Sequence, residues 1–285
     1  MTGEIRRILS FEPARAKNNP VIILAVVSAA LYFIVIGIYL GRAADEINSA
    51  FSEFRQVAEV GFQESDVPII GWLKDATDPA LQALFVGHSP LLAIFFWLAL
   101  LGTPWIVMLV ASDQTASELS KRHIRFILPR ATRRGLFMAR LLSSWIVWVA
   151  ISSISLFLVG IVLMQIGDGE NRDSDYILMF RMIWILAIYG IPFIALMAFI
   201  NTFISNAFLS YLLGTGAWSI FWVLGEVGSW VHEGFRFFSY LIPTAVKYPL
   251  LSEDPQRFLA GVGGVAGYSL VFIFFGILIF SRRDV

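Results

Sequence analysis

The sequence predicts an all-α membrane protein, with six transmembrane helices in a single domain that covers residues 1–285. Hydrophobic residues make up 58% of the chain and charged residues 15%, whereas soluble domains are usually about half apolar and a quarter charged. Six apolar stretches approach the roughly 20 residues that a helix needs to cross a bilayer. They are 20–40, 90–111, 141–166, 178–202, 208–224 and 262–281.

The first span follows a basic N-terminal stretch that carries Arg6, Arg7, Arg15 and Lys17. Its apolar run is too long for the core of a signal peptide and lacks a convincing cleavage site. We therefore expect a retained span with the N-terminus on the cytoplasmic side.

The loop after the first span, residues 41–89, contains helical patterning. Ile47, Phe51, Phe54, Ala58 and Gly61 recur at helical spacing, which predicts amphipathic helices at the membrane surface. A helical cap packed on the bundle is favoured over a dedicated site for a partner.

The third and fourth spans carry the polar side chains that could line a pathway, namely Ser152, Ser155, Tyr189 and Asn201. Serines in membrane helices more often bond neighbouring helices than line a passage, so both roles stay open. Pro192 predicts a kink in the fourth span.

The fifth span is the shortest, and Gly214 and Gly216 are expected to interrupt it. The aromatic segment that follows contains several glycines and prolines, so it predicts short helices dipping into the outer leaflet rather than a crossing helix. Glu226, Glu233 and Pro243 are its candidate gate residues, with plain solvation of the two carboxylates as the alternative.

The sixth span opens on a glycine-rich stretch, residues 260–267, which mimics a dinucleotide-binding fingerprint. No strand precedes it, so a nucleotide site is disfavoured. Gly263 and Gly267 instead form a GxxxG pair, a pattern that lets helices approach closely.

Charge sets the orientation. The segments that include both termini, residues 1–19, 112–138, 203–207 and 282–285, hold 12 Lys and Arg against 5 acids, whereas the opposite segments hold 7 against 16. Cytoplasmic loops are enriched in cations, so both termini are predicted inside.

The residues disfavour several enzyme classes. There is no cysteine, which excludes thiol catalysis and cysteine–metal sites. No two of His88, His123 and His232 share a span, and no phosphate-loop motif occurs. No carboxylate lies mid-span, which argues against a proton or sodium relay. We expect no catalytic residue and no metal site.

Across residues 111–142 the chain resembles the first cytoplasmic loop of type-2 ABC exporter permeases. The matching positions are Asp113, Glu118, Leu128-Pro129, Arg133 and Arg140. Residues 4–9 resemble the family's amphipathic N-terminal interface helix, 239–244 its outer-leaflet segment, and 281–285 its usual ending. One departure is Lys121-Arg122-His123-Ile124, where many members carry a glycine-threonine pair.

The resemblance implies a cytoplasmic coupling helix, around residues 113–128, that receives the motion of a separate ATPase and is ended by Pro129. The expected coupling residues, which would contact the ATPase, are Asp113, Glu118, Arg122, Arg125, Pro129, Arg130 and Arg133. The alternative is that these cations only fix the topology.

The expected function is that of the permease subunit of an ATP-powered exporter in a bacterial inner membrane. Its partners would be two ATP-binding-cassette ATPases, a second permease chain and the lipid bilayer. ATP and Mg²⁺ would bind to the ATPases, and no cofactor would bind to this chain. The alternative is a non-transporting scaffold or maturation subunit that relays ATPase motion to an extracytoplasmic protein through the acidic loop 41–89. An intramembrane enzyme and a nucleic-acid partner are both disfavoured.

Overall fold

A computed structural model describes residues 19–51, 80, 83–85, 88–114, 132–167, 172–226 and 232–282; within them 89% of the residues are helical and none forms a strand. The helices with complete bounds are α1 (Pro20–Arg42), α2 (Pro90–Ala111), α3 (Arg133–Ile166), α4 (Arg172–Tyr189), α5 (Ile191–Ile200), α6 (Ala207–Glu226), α7 (Arg236–Ser239), α8 (Lys247–Leu251) and α9 (Pro255–Arg282). Residues 44–51 and 83–85 are also helical. Two 3-10 turns, Glu233–Phe235 and Pro243–Val246, precede α7 and α8.

Six helical stretches of the described chain are long and apolar enough to cross a membrane, which confirms the predicted number. The fourth combines α4 and α5. The main difference from the sequence prediction lies in α3, whose 34 residues begin at Arg133 and not at residue 141. At 1.5 Å per residue this helix is about 51 Å long, well beyond the roughly 30 Å hydrocarbon core of a bilayer.

The central helix is α2, most of whose residues are buried and which packs against α1, α3, α5 and α6. At Gly102 it packs tightly against α1, because a side chain there would overlap the ring of Tyr32. The absence of that side chain lets the Tyr32 hydroxyl donate to the Leu98 carbonyl at 2.6 Å. This contact fixes the peripheral first helix against the core.

The fourth span is divided at Gly190, two residues before Pro192, where α4 ends and α5 begins. Because proline has no backbone N–H, a helical hydrogen bond is lost at this point. Two tryptophans of α3 contact the turn before it: Trp148 Nε1 donates to the Leu186 carbonyl and Trp145 Nε1 to the Ala187 carbonyl, both at 3.0 Å. The end of α4 is therefore bonded to α3.

The expected interruption of the fifth span is wrong, since α6 runs unbroken through Gly214 and Gly216. Glycine within a helix costs only about 1 kcal/mol relative to alanine, which packing can offset. Gly214 lies directly against the Met197 thioether of α5. It therefore serves a close helix contact and does not break the helix.

The short-helix segment, residues 233–252, folds back between the long helices. Thr244 Oγ1 accepts a hydrogen bond from Trp218 Nε1 at 3.0 Å, and the Lys247 ammonium lies 4.8 Å from the centroid of the Trp97 ring. Trp97 is the eighth residue of α2, so the segment reaches about 10 Å along that helix. Short helices between the last two spans are thus present, as predicted.

The glycines of α9 that contact the rest of the chain are not the predicted GxxxG pair. A side chain at Gly261 would meet the backbone of Leu250, and one at Gly264 would meet Val246. At Gly263 and Gly267 no described atom lies within 4 Å of such a side chain. Neither residue of the pair therefore supports a close contact between helices within the described part of the chain.

The bundle has two chemically different ends. At the first, which we call the basic end, Asn19 contacts Asp113 and Arg133 contacts Ser281; it also carries Arg134 and Arg282. At the second, the acidic end, Ser89 contacts Asp175 and Arg181 contacts Glu253. The acids that accompany these helix ends are Asp45, Glu46, Asp173, Asp175, Glu253 and Asp254.

Candidate functional site at the basic end of the bundle

The candidate site consists of the two points where the chain leaves and re-enters the bundle on either side of residues 115–131. The chain leaves after α2 through Ser112, Asp113 and Gln114, all of which are buried. It returns at Thr132, whose hydroxyl caps α3 by accepting a hydrogen bond from the Gly135 N–H at 3.1 Å. The residues on both sides of 115–131 are thus held by the bundle.

Asp113 is held by the start of α1. Its side chain is 2% exposed, and one carboxylate oxygen accepts a hydrogen bond from the Asn19 amide. Asn19 also caps α1, because its Oδ1 accepts from the Val21 N–H at 2.9 Å. One asparagine therefore joins the first turn of α1 to the end of α2.

Gln114 and Asn201 tie the same point to α5. Gln114 Nε2 donates to the Ile194 carbonyl at 3.3 Å, and Asn201 Nδ2 donates to the Ala111 carbonyl at 3.0 Å. Both side chains are buried, where hydrogen bonds between polar groups are costly to break. The end of α2 is thus hydrogen-bonded to α5, the second helix of the fourth span.

Arg133 ties the returning chain to α9, since its Nη1 donates to the Ser281 carbonyl at 3.1 Å. A cation at the last turn of a helix also interacts favourably with the helix dipole. The neighbouring Arg134 is exposed. Of these two adjacent cations, Arg133 is therefore the one placed to hold helix ends together.

The interior beside these anchors is polar. A cavity of about 10 Å³, lined in part by Asp113, Gln114, Ser143 and Ser144, lies between α2 and α3, and its size suits a single water. Arg140, one turn before Ser143, is 5% exposed. In the resemblance it is the basic residue that opens the third span, but it is the eighth residue of α3.

Of the seven residues predicted to couple to an ATPase, the structure describes two. Asp113 is an internal anchor of the loop and does not present its carboxylate at the surface, whereas Arg133 is half-buried and contacts α9. The other five lie outside the described residues, as does the predicted N-terminal helix: Glu118, Arg122, Arg125, Pro129 and Arg130. Their contact with a partner stays a prediction.

The predicted pathway residues are interior residues of the single chain. Ser152 donates to the Val149 carbonyl at 3.2 Å within its own helix, and Ser155 is buried. The Tyr189 hydroxyl has no hydrogen-bond partner among the described residues, and neither has Oδ1 of Asn201. These four side chains lie in the core, and their role in lining a passage stays a prediction.

The predicted gate residues lie within the short-helix segment or shortly before it. Glu226 ends α6 and Glu233 begins the first 3-10 turn, but their carboxylates lie outside the described side chains. Pro243 is buried at the start of the second 3-10 turn. Most of the acidic loop 41–89, from residue 52 to residue 79, is likewise outside the described part of the chain.

Sequence reasoning missed the anchoring residues Asn19 and Gln114. A signal for the first exists, since Asn before Pro20 is a typical helix N-cap. Its contact with Asp113 joins residues 94 positions apart and has no local signature. No protein-family model matches the chain, and no curated protein matches it significantly.

Proposed function

We propose that the chain is the permease subunit of an ATP-binding-cassette exporter. In this proposal two permease chains pair in the membrane, and each is driven from the cytoplasm by a separate ATPase subunit. The substrate crosses between the spans, and this chain hydrolyses no ATP. The resemblance of residues 111–142 to exporter permeases supplies the class, and the anchoring of the loop supplies its physical support.

The observation that carries the proposal is the way both ends of residues 115–131 are tied to three different helices. Asn19 links the loop's origin to α1, Gln114 links it to α5, and Arg133 links its return to α9. A force applied to such a loop would move α1, α5 and α9 together. A loop that only fixed topology would need none of these contacts.

Asp113 takes a more specific role in the proposal than the sequence suggested. Because its carboxylate is buried and bonded to Asn19, it would position the start of the coupling helix and would not touch the ATPase. The contact itself would fall to Glu118, Arg122 and Arg125. Truncating a buried charge at an interface typically costs about 2–5 kcal/mol, whereas a rim charge costs little.

The proposal places both termini and the basic end in the cytoplasm, with the chain as a multi-pass protein of a bacterial inner membrane. The full sequence supports this orientation, because the segments at the basic end hold 12 Lys and Arg against 7 in the opposite segments. Cytoplasmic loops are enriched in cations. The short-helix segment would then lie on the outer side.

Purification of the tagged chain from its native membrane tests the proposal. We expect a phosphate-loop ATPase to co-purify in an equal molar amount and the complex to hydrolyse ATP, with vanadate as an inhibitor of that hydrolysis. A matched preparation of another six-span protein controls for carry-over. A chain that purifies without any ATPase, under conditions that keep known complexes of this class intact, would contradict the proposal.

The scaffold alternative is favoured by one feature, the eight acids in the 49 residues of the loop 41–89. Deletion of residues 45–78 separates the two functions. If the deleted chain still supports efflux and loses an extracytoplasmic partner, the loop is a docking element added to a transporter. If the intact chain supports no efflux but still binds the ATPase, the result favours the scaffold function over transport.

A further inference from the structure

At the acidic end a single side chain of α4 holds the end of the short-helix segment. Arg181 Nη2 donates to the Leu251 carbonyl at 2.8 Å and to the Ser252 carbonyl at 2.7 Å. Its Nη1 lies 3.4 Å from a carboxylate oxygen of Glu253. The last carbonyls of a helix have no partner within it, so Arg181 satisfies groups at the end of α8 that the helix leaves open.

The contacts of Arg181 differ from the other contacts of the segment. Toward α6 and α9 the segment is held by Trp218, by the close approach of its backbone to Gly261, and by apolar packing. Toward α4, Arg181 contributes the contacts with the Leu251 and Ser252 carbonyls and with Glu253. Loss of these contacts would free one side of the segment and leave the other in place.

His88 lies beside this arginine. It is 9% exposed, and its Nδ1 is 2.8 Å from the Ser174 hydroxyl at the start of α4. His88, Arg181, Leu251 and Glu253 line the same cavity of about 10 Å³. A cavity of that volume holds no more than one water, so little solvent separates the imidazole from the guanidinium.

The charged groups around His88 come from two elements. Asp175 and Arg181 belong to α4, and Glu253 follows α8. Ala83 and Leu84, which line the cavity from the neighbouring segment, are apolar. Asp175 Oδ1 accepts a hydrogen bond from the Ser89 N–H at 2.9 Å. Glu253 lies 3.4 Å from Arg181 and in the same cavity as His88, so both cations could share its carboxylate.

We propose that His88 and Arg181 form a pH-sensitive latch, in which protonation of His88 loosens Arg181 from the carbonyls of Leu251 and Ser252 and releases that end of the short-helix segment from α4. The imidazolium would repel the guanidinium across the small cavity and compete with it for Glu253. The latch does not depend on the proposed transport function, because it involves only contacts within one chain.

The direction of the pH response follows from the surroundings of His88. Burial lowers the pKa of His88 from its ordinary value of 6.5, with a smaller contribution in the same direction from Arg181, while Asp175 and Glu253 act in the opposite direction. A lowered pKa means that the folded chain favours the neutral imidazole. The closed latch is therefore fully stable above about pH 6.5 and weakens as the pH falls below that value.

Cysteine labelling tests the latch cleanly, because the chain contains no cysteine of its own. Ser252→Cys reports on the buried end of the segment, and Gln256→Cys, at the second residue of α9, provides an exposed reference. The full chain is labelled in detergent with a methanethiosulfonate reagent at about pH 7.5 and about pH 5.5. The ratio of the two labelling rates removes the intrinsic pH dependence of thiol reactivity.

With the native latch we expect this ratio to rise several-fold on acidification. His88→Gln, which cannot gain a proton, should keep the ratio low at both pH values. Arg181→Gln should raise it at both. A ratio that does not change with pH in the otherwise native chain, or a pH response that persists in His88→Gln, would overturn the latch.

Glu253→Gln gives a second test that does not require substitution of a buried residue. Glu253 is exposed, and exposed ion pairs contribute little stability, so this variant should fold. Its carboxylate raises the pKa of His88, and its removal should therefore shift the midpoint of the labelling response to lower pH. An unshifted or upward-shifted midpoint would show that His88 does not control the response.

Discussion

The guanidinium of Arg133 donates a hydrogen bond to the carbonyl oxygen of Ser281 at 3.1 Å, which joins the first turn of α3 to the last turn of α9. The two residues are 148 positions apart in the sequence. The contact closes the bundle at its basic end, directly beside the loop of residues 115–131. Any motion of that loop would therefore reach the final helix without passing through the core.

Arg133→Gln should weaken this junction. A cation at a helix C-terminus typically contributes about 0.3–1 kcal/mol, so we expect a small decrease in thermal stability in detergent. Arg134→Gln is the matched control, because Arg134 lies on the same turn and is exposed. Equal melting temperatures for the two variants would show that the contact with Ser281 contributes nothing specific.

Asn19 and Asp113 should behave as an energetically coupled pair. Asn19→Ser keeps a side chain that can cap α1 but removes the amide that reaches Asp113. Asp113→Ala removes the acceptor of the partly buried Asn19 amide and should cost about 1 kcal/mol. A double-mutant cycle, measured by unfolding in detergent, should give a coupling of at least about 0.5 kcal/mol.

A reference cycle combines Asn19→Ser with Arg257→Gln at the opposite end of the bundle. These two substitutions should be additive within about 0.5 kcal/mol, because distant sites rarely couple. If the Asn19 and Asp113 substitutions were equally additive, the contact between these two residues would contribute no coupling free energy.

Gly190→Ala should destabilise the chain. A methyl group there would lie 2.5 Å from Trp148 Nε1, and Trp148 is fully buried and bonded to the Leu186 carbonyl. Overpacking of this kind typically costs about 1–3 kcal/mol. Gly216→Ala is the control, because no described atom lies within 4 Å of its new methyl group, and it should be neutral or slightly stabilising.

Lys247→Met should destabilise the short-helix segment. The ammonium lies 4.8 Å from the Trp97 centroid and 4.5 Å from the Tyr248 centroid, and a desolvated cation–π contact contributes about 2 kcal/mol. Limited proteolysis within residues 233–252 should become faster. Arg257→Met removes an exposed cation near the same end and should leave the cleavage rate unchanged; equal rates in both variants would contradict the prediction.

The spans were predictable because length and apolarity are properties of local sequence, but the starts of α3, α4 and α9 were predicted six to eight residues too late. The last helix begins at Pro255, seven residues before the predicted start, because Asp254 accepts a hydrogen bond from the Gln256 N–H and the following proline suits a first helical position. Thr132 caps α3 in a similar way. Both caps are readable in the sequence, and hydropathy alone overlooks them.

The contacts that organise both ends could not be predicted. Arg181 binds the carbonyls at the end of α8, a contact that depends on where the short-helix segment folds back. Whether Gly263 and Gly267 face a neighbouring helix depends in the same way on which face of α9 packs against α5. A periodic pattern identifies the faces of a helix but not the neighbour that each one meets.

The central claim is that residues 115–131 pass the motion of an ATPase to the spans. It is tested by reconstituting the chain with its co-purified ATPase in liposomes and comparing ATP hydrolysis for the native chain and for the double variant Glu118→Ala and Arg125→Ala. We expect the double variant to insert normally, while it loses ATPase binding and the stimulation of ATP hydrolysis. Normal insertion with undiminished binding and stimulation would contradict the account.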